Sequence, residues 1–326
     1  MKRKLNPFWK ITTEKEFEDL AFQTFAFQYE NNKIYRSFCD STKKSPKNIQ
    51  QINEIPFLPI QLFKTQSIKS FLGKEEFYFT SSTTTGDIPS RHYVKKLNTY
   101  IKSFKKGFEH FYGDISKYTF IALLPSYLER KRSSLVFMAE YFIKKSTSTY
   151  SNPYLNQWDK LIILLNKLNK ENKKTILLGV SFALLDLVEK QKFNLKNTII
   201  METGGMKGRR KEIIRKELHQ KLKKGFGVNT IHSEYGMTEL FSQAYSKKNG
   251  IFKPVPWMKV FCRDIQNPFS IIPTEKQGAI NIIDLANKDS CAFIATDDLG
   301  KVSPNGSFEI TGRLDNSDTR GCNLMV

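Results

Sequence analysis

Cysteine is scarce in this chain. The four cysteines, Cys39, Cys262, Cys291 and Cys322, form no C-x-x-C pair and none stands near a paired histidine. That argues against a zinc site, and four thiols in 326 residues are too few for a disulfide-stapled scaffold. Long apolar runs are missing too: none approaches the ~18 residues that a membrane-spanning helix needs. The basic start M-K-R-K-L-N-P-F-W-K lacks the apolar stretch of a secretory signal. A cytoplasmic protein with no transmembrane segment is expected. Acidic residues are outnumbered, 32 against 52 Lys+Arg, for a formal charge of +20. Such a balance invites a nucleic-acid reading. However, only 11 of the 52 cations are arginine, the residue whose planar fork suits specific phosphate recognition. With no aromatic–basic recognition motif and no zinc module, no nucleic-acid partner is expected. A non-enzymatic nucleic-acid binder remains a competing class, and its mark would be salt-dependent binding of DNA or RNA without ATP binding.

Apolar material is plentiful, at 40% hydrophobic and 13% aromatic residues, enough for a large core. Residues 1–75 read as mainly helical, with a loop near 41–48 and a Pro-marked segment at 55–60. Strand-like and helix-like runs then alternate. Strands are expected at 76–79, 118–124, 175–178, 197–201 and 228–231, and helices at 95–111, 133–143, 155–168, 182–190 and 207–224. That alternation predicts an α/β body with a largely parallel sheet flanked by helices. After about residue 250 the texture changes to short strands at 258–262, 279–284, 292–295 and 307–311, separated by Gly, Asp, Asn and Pro. This reads as a small β lobe. The expected organisation is a helical segment over 1–75 packed on the body, an α/β body over 76–250, and the lobe over 251–326.

Three motifs carry chemistry. The run F-T-S-S-T-T-T-G-D-I-P-S-R has six consecutive hydroxyl residues, Thr80, Ser81, Ser82, Thr83, Thr84 and Thr85, leading into Gly86. Hydroxyls and the amides of a glycine turn can wrap phosphate oxygens; a solvated Ser/Thr loop is the plainer alternative. The run H-S-E-Y-G-M-T-E-L supplies Tyr235 for stacking on a base and Gly236 for a tight turn. It also supplies the Thr238 hydroxyl for phosphate and Glu239 as a hard oxygen for Mg²⁺. Its plainer alternative is a polar turn ahead of a helix. In A-T-D-D-L-G-K-V and F-E-I-T-G-R-L-D, a carboxylate at a strand end can bind two ribose hydroxyls, and Arg313 can approach the sugar or a phosphate. Turns between strands would explain the same residues. A separate run, L-L-G-V-S-F-A, is close to a nucleophile elbow around Ser181. It gives a competing α/β-hydrolase-like acyltransferase reading with His219 or His232 as base, against a helix N-cap serine. His110 and His219 read as surface helix positions and His92 as structural.

In order and spacing, the three motif blocks resemble the adenylate-forming superfamily of acyl- and aryl-CoA ligases, luciferases and peptide-synthetase adenylation domains. The runs P-S-Y-L-E-R-K-R-S-S-L, E-T-G-G-M-K-G-R-R and G-R-L-D-N-S-D-T-R-G-C-N-L-M-V are similar to one branch, the acyl-protein synthetase family of LuxE type. The resemblance spans roughly residues 77–326. It implies an adenylate-forming body in which residues 80–86 handle the phosphates of ATP and Gly204, Gly205 and Met206 line the adenine. Tyr235, Gly236, Thr238 and Glu239 would serve nucleotide and Mg²⁺, Asp298 the ribose, and Arg313 a hinge block. The superfamily's C-terminal lid and its lysine have no counterpart among these motifs, so a body without a lid is expected, with Arg320 or a basic residue of 207–210 as a substitute cation, or a partner protein completing the site. The family activates a long-chain fatty acid as acyl-adenylate and carries the acyl group on a cysteine, a role that falls on Cys322, before an acyl reductase or another acceptor protein receives it.

Overall fold

Helix propensity and capping set the N-terminal third. The structure, a computed structural model, describes residues 7–82, 88–124, 132–146, 157–205, 210 and 213–314. Helix α1 (Glu14–Asn31) begins at a capping box in which Thr13 and Glu16 satisfy each other's backbone N–H, a device that stabilises a helix by ~1 kcal/mol. Asn32 ends α1 and caps α2 (Lys33–Ser41). The chain then forms a two-residue strand β1 (Leu58–Pro59), a single turn α3 (Leu62–Thr65), and a hairpin of β2 (Phe77–Thr80) and β3 (Arg91–Val94). The long helix α4 (Leu97–Tyr112) follows.

The body alternates strand and helix: β4 (Thr119–Leu123), α5 (Ser134–Lys145), α6 (Trp158–Lys170), β5 (Thr175–Val180), α7 (Ser181–Lys190), β6 (Thr198–Thr203), α8 (Arg215–Phe226) and β7 (His232–Tyr235). Every residue of β4 and β5 is buried, which explains their unbroken apolar runs: a parallel sheet is covered on both faces. Strands β4 to β7 lie parallel in chain order. Antiparallel β8 (Ala244–Ser246) and β9 (Lys253–Pro254) complete a six-stranded sheet. The remaining strands are β10 (Met258–Arg263), β11 (Gln277–Asp284), β12 (Phe293–Val302) and β13 (Phe308–Arg313). They form a second sheet, ordered β1-β12-β11-β10, with β13 also on β12. On one edge, the first half of β12 pairs with β1 and the second half with β13.

Two expected elements shift. The strand expected at 228–231 forms at His232–Tyr235, because 227–228 finish a helix. Gly227 takes φ 67°, a left-handed cap, and the N–H groups of Gly227 and Val228 both reach Lys223 O. The basic helix expected from 207 begins at Arg215, after an extended Ile214; residues 206–209 and 211–212 lie outside the described ones.

The N-terminal segment is bound into this frame by buried polar groups. Gln28 of α1 donates to the carbonyls of Asn287, Lys288 and Ser290 and accepts from Ala292 N–H. Asn32 donates to Ser290 O at 3.1 Å. These bonds satisfy a loop between β11 and β12 in which Asn287 and Ser290 are buried, and an unsatisfied buried amide there would cost ~1–3 kcal/mol. Among the described residues no helix is long and apolar enough to cross a membrane.

Candidate active site

The hydroxyl run sits at the tip of the β2–β3 hairpin. Ladder pairing ends at Thr80 opposite Arg91. Ser81 and Ser90 close the mouth: Ser81 N–H donates to Ser90 O (3.2 Å) and Ser90 N–H to Ser81 Oγ (2.9 Å). Thr80 and Ser81 are half-buried and Ser82 is exposed. Thr83, Thr84, Thr85 and Gly86 lie outside the described residues, as do Met206 and Cys322.

Tyr235 ends β7, beside the end of β6, where Gly204 follows with φ 65°. Gly204, exposed Gly205 and Tyr235 thus share the carboxyl end of the parallel strands, where open α/β sheets bind ligands. Gly236 packs closely on Glu234: a Cβ there would lie 2.6 Å from Glu234 Oε1, so a larger residue would make that carboxyl group shift. Residues 236–243 form no helix; a turn closed by Leu240 N–H on Met237 O leads into β8. The turn is clamped from behind. His92 Nδ1 meets Thr238 O at 2.7 Å, His92 Nε2 meets Asn287 Oδ1 at 2.9 Å, and Asn287 donates to Glu239 O at 2.7 Å. The loop that α1 supports therefore holds the backbone of Thr238 and Glu239.

The Tyr235 hydroxyl donates to Asp298 Oδ2 at 2.7 Å, and its ring packs on Phe252 and Phe308. Asp298 faces Arg313 across the β12–β13 ladder. The Arg313 side chain is 71% exposed, with Nη2 4.0 Å from Asp297 Oδ2, and Asp297 also accepts from Gln61. Burial raises the pKa of Asp298, opposed by the Tyr235 hydrogen bond and the Arg313 charge. Burial raises Glu239 as well, opposed by a Ser90 hydroxyl bond and again by Arg313, while Asp298 adds to it. The base of the hydroxyl hairpin, the Tyr235–Glu239 turn and the Asp298–Arg313 ladder thus meet in one electrostatic environment. Glu239 is buried and makes no ion pair among the described residues, so a divalent cation at its carboxylate would relieve the cost of its charge. Among the described residues no group of three or more His, Cys, Asp or Glu could hold a metal. One carboxylate fits Mg²⁺, which is commonly held by one or two carboxylates plus substrate phosphates.

Sequence motifs did not single out Ser90, His92's clamp, Asn287, Glu234 or Arg263. The only signal was polar residues inside otherwise apolar strands and turns. His219 is buried at 4% exposure, not on the surface: it sits 3.4 Å from Glu202 Oε1 and 3.3 Å from Ser233 Oγ, through the same Nε2. Ser181 Oγ is aimed at Glu202 Oε2 and Gly204 O, and Ser181 is 2% exposed. His232 meets Tyr112 at 3.1 Å. This is not the nucleophile–base geometry of a hydrolase, which needs the histidine on the serine oxygen and an orienting carboxylate on its other nitrogen.

Comparison with known proteins adds the family. Residues 7–326 match the family model described as acyl-protein synthetase, LuxE, a match that begins well before the first of the quoted motifs. No curated protein matches by sequence. Among solved structures, ATP-bound MatB from Rhodopseudomonas palustris is similar at 15% identity and TM-score 0.53, over 74% of this chain and 49% of that one. An open conformation of 2-hydroxyisobutyryl-CoA ligase with 2-HIB-AMP and CoA is similar at 10% identity and TM-score 0.67, over 93% and 70%. The same ligase in its thioesterification state gives TM-score 0.65 and 10% identity, over 96% and 73%. The chain spans about half the length of MatB. At these identities the likeness establishes the fold, an α/β architecture of mixed sheets flanked by helices.

Proposed function

The chain belongs to the acyl-protein synthetase (LuxE) family, and from that membership we propose that it activates a fatty acid with ATP and passes the acyl group to a protein cysteine. The observation that carries the reading is Tyr235, at the end of the parallel strands, donating to Asp298, which faces Arg313, with the buried Glu239 in the turn that follows Tyr235. In the first step a carboxylate oxygen attacks the α-phosphorus of ATP, the bond to the β-phosphate bridge breaks, and pyrophosphate leaves with acyl-adenylate as product. Both reactants are anions, so the protein's task is positioning and charge neutralisation. Asp298 would hold the ribose hydroxyls, with the Tyr235 hydroxyl orienting its carboxylate. The hydroxyls of residues 80–85 would surround the phosphates, beside Thr238. Gly204, Gly205 and Met206 would border the adenine. Arg313 would face the developing charge. Mg²⁺ at Glu239 would neutralise phosphate oxygens when bound.

In the second step the Cys322 thiolate attacks the acyl carbonyl carbon, the mixed anhydride C–O bond breaks and AMP leaves, giving a thioester. A free thiol is only a few per cent thiolate at neutral pH, and neighbouring Arg320 would raise that fraction. An acyl reductase or another acceptor protein would then take the acyl group. Fatty-acid-dependent exchange of pyrophosphate into ATP tests the first step. Exchange that rises with added fatty acid and vanishes in Asp298→Ala is expected; no exchange at any chain length, with or without a partner reductase, contradicts it.

A further inference from the structure

Strand β12 does not run evenly past β11. Asn281 faces Ala295 and Ala279 faces Leu299, so Thr296, Asp297 and Asp298 stand opposite Ile280 alone. A bulge of this kind interrupts the ladder and re-aims the side chains it carries. Here it falls where the outer edge of β12 changes partner from β1 to β13, and it carries Asp298.

The bulge is held by one buried side chain. Arg263, at the end of β10, is 7% exposed. Its Nη1 donates to Ile280 O and to Asn281 Oδ1, both at 2.8 Å, and its Nη2 donates to Thr296 O at 2.7 Å. Thr296 Oγ1 donates to the same Ile280 O at 2.9 Å and accepts from Asp298 N–H at 3.2 Å. The guanidinium therefore reaches under β11 to the residue two positions before Asp298, and a hydroxyl closes the last step. Among the described residues Arg263 makes no salt bridge, and burial pushes its pKa down while Asp297 opposes. A buried cation without an ion pair is costly, and an apolar side chain would fill the space more cheaply. What it supplies is a rigid fork of donors that no lysine or glutamine reproduces.

We infer that Arg263 is a positioning residue for ribose recognition: it locks the β12 bulge that takes Asp298 out of the β11–β12 pairing and sets its carboxylate beside the Tyr235 hydroxyl. The inference rests on the ribose role proposed for Asp298. It predicts that loss of the fork injures selectivity for the sugar more than affinity for the rest of the nucleotide.

The test compares ATP with 2′-deoxy-ATP on the full chain, by calorimetric affinity and by KM in fatty-acid-dependent exchange. A lost hydrogen bond to a charged carboxylate corresponds to about tenfold or more, so the wild type is expected to prefer ATP by that factor. In Arg263→Lys the preference is expected to fall to about threefold or less, with kcat little changed and 2′-deoxy-ATP bound nearly as before. Thr296→Val removes the hydroxyl link without stranding a charge, and keeps the test available if Arg263→Lys folds poorly. Its ATP preference is expected to fall in the same direction. A variant pair that weakens both nucleotides equally, with the preference intact, would make Arg263 a stability residue and overturn the inference. A wild type that binds both nucleotides alike would instead overturn the ribose role of Asp298, separately.

Discussion

Replacing Glu234 by glutamine should make the protein more stable at alkaline pH and change nothing comparable at acid pH. Glu234 is 6% exposed in β7. One carboxyl oxygen accepts from the Thr203 hydroxyl, and the other lies under Gly236. Its neighbour Glu202 keeps its charge: burial alone would raise it, but His219, Arg215 at 3.3 Å and Ser233 outweigh that. Among the described residues Glu234 has no such cation, and burial, with Glu202 adding, pushes its pKa from 4.5 up to about 7. The folded state thus holds this proton more tightly than the unfolded chain. The stabilisation it gives is complete below 4.5 and is lost as pH rises through about 7. About 2.5 units between those values corresponds to roughly 3 kcal/mol. Glutamine is neutral throughout and its amide oxygen can still accept from Thr203. Urea unfolding of both proteins at several values from about pH 4 to about pH 8 should therefore show the difference in unfolding free energy swinging by up to ~3 kcal/mol toward the variant. A difference flat in pH would mean that Glu234 is ionised in the folded state, and the desolvation argument would be wrong.

Three further outcomes are expected. Glu239→Gln should reduce pyrophosphate exchange ~100-fold or more, as loss of a group that organises transition-state charge does, while the thermal midpoint holds or rises because a buried charge is removed; exchange at the wild-type rate would take Glu239 out of the site. Asp284→Ala should cost ~3–5 kcal/mol in urea unfolding, since the buried Asp284 carboxylate accepts from the N–H groups of Phe241, Ser242 and Ala286 and from the Ser242 hydroxyl; a cost under ~1 kcal/mol would show that other groups take over those donors. Ser181→Ala should leave acyl activation intact, and fluorophosphonates should not label Ser181, because its hydroxyl is spent on Glu202 and Gly204; labelling would revive the hydrolase reading.

The body was readable because local pattern and tertiary demand agree there. The runs in β4 and β5 are apolar because both faces are covered, and the family resemblance assigns Tyr235, Asp298 and Arg313 to one site, where in the fold Tyr235 donates to Asp298 and Asp298 faces Arg313. Boundaries slipped where chemistry outside the pattern intervened. Val228–Ile231 looks like a strand by composition, but Gly227 turns the chain through a helix cap first. The role of α1 was illegible, since Gln28 and Asn32 recognise a loop more than 250 positions away. Arg263 and His219 were illegible for a related reason. Nothing in a single sequence marks a charged or titratable side chain as buried until the carbonyls, hydroxyls and carboxylates that receive it are brought together from distant strands.

The most direct measurement is the mass of the intact protein after incubation with ATP-Mg and a long-chain fatty acid. The account predicts a shift equal to the acyl group less one hydrogen, removed by hydroxylamine at neutral pH, dependent on ATP and absent in Cys322→Ser. A mass shift that persists in Cys322→Ser would contradict transfer to that thiol. No shift at any chain length, together with no fatty-acid-dependent pyrophosphate exchange, would contradict acyl activation itself.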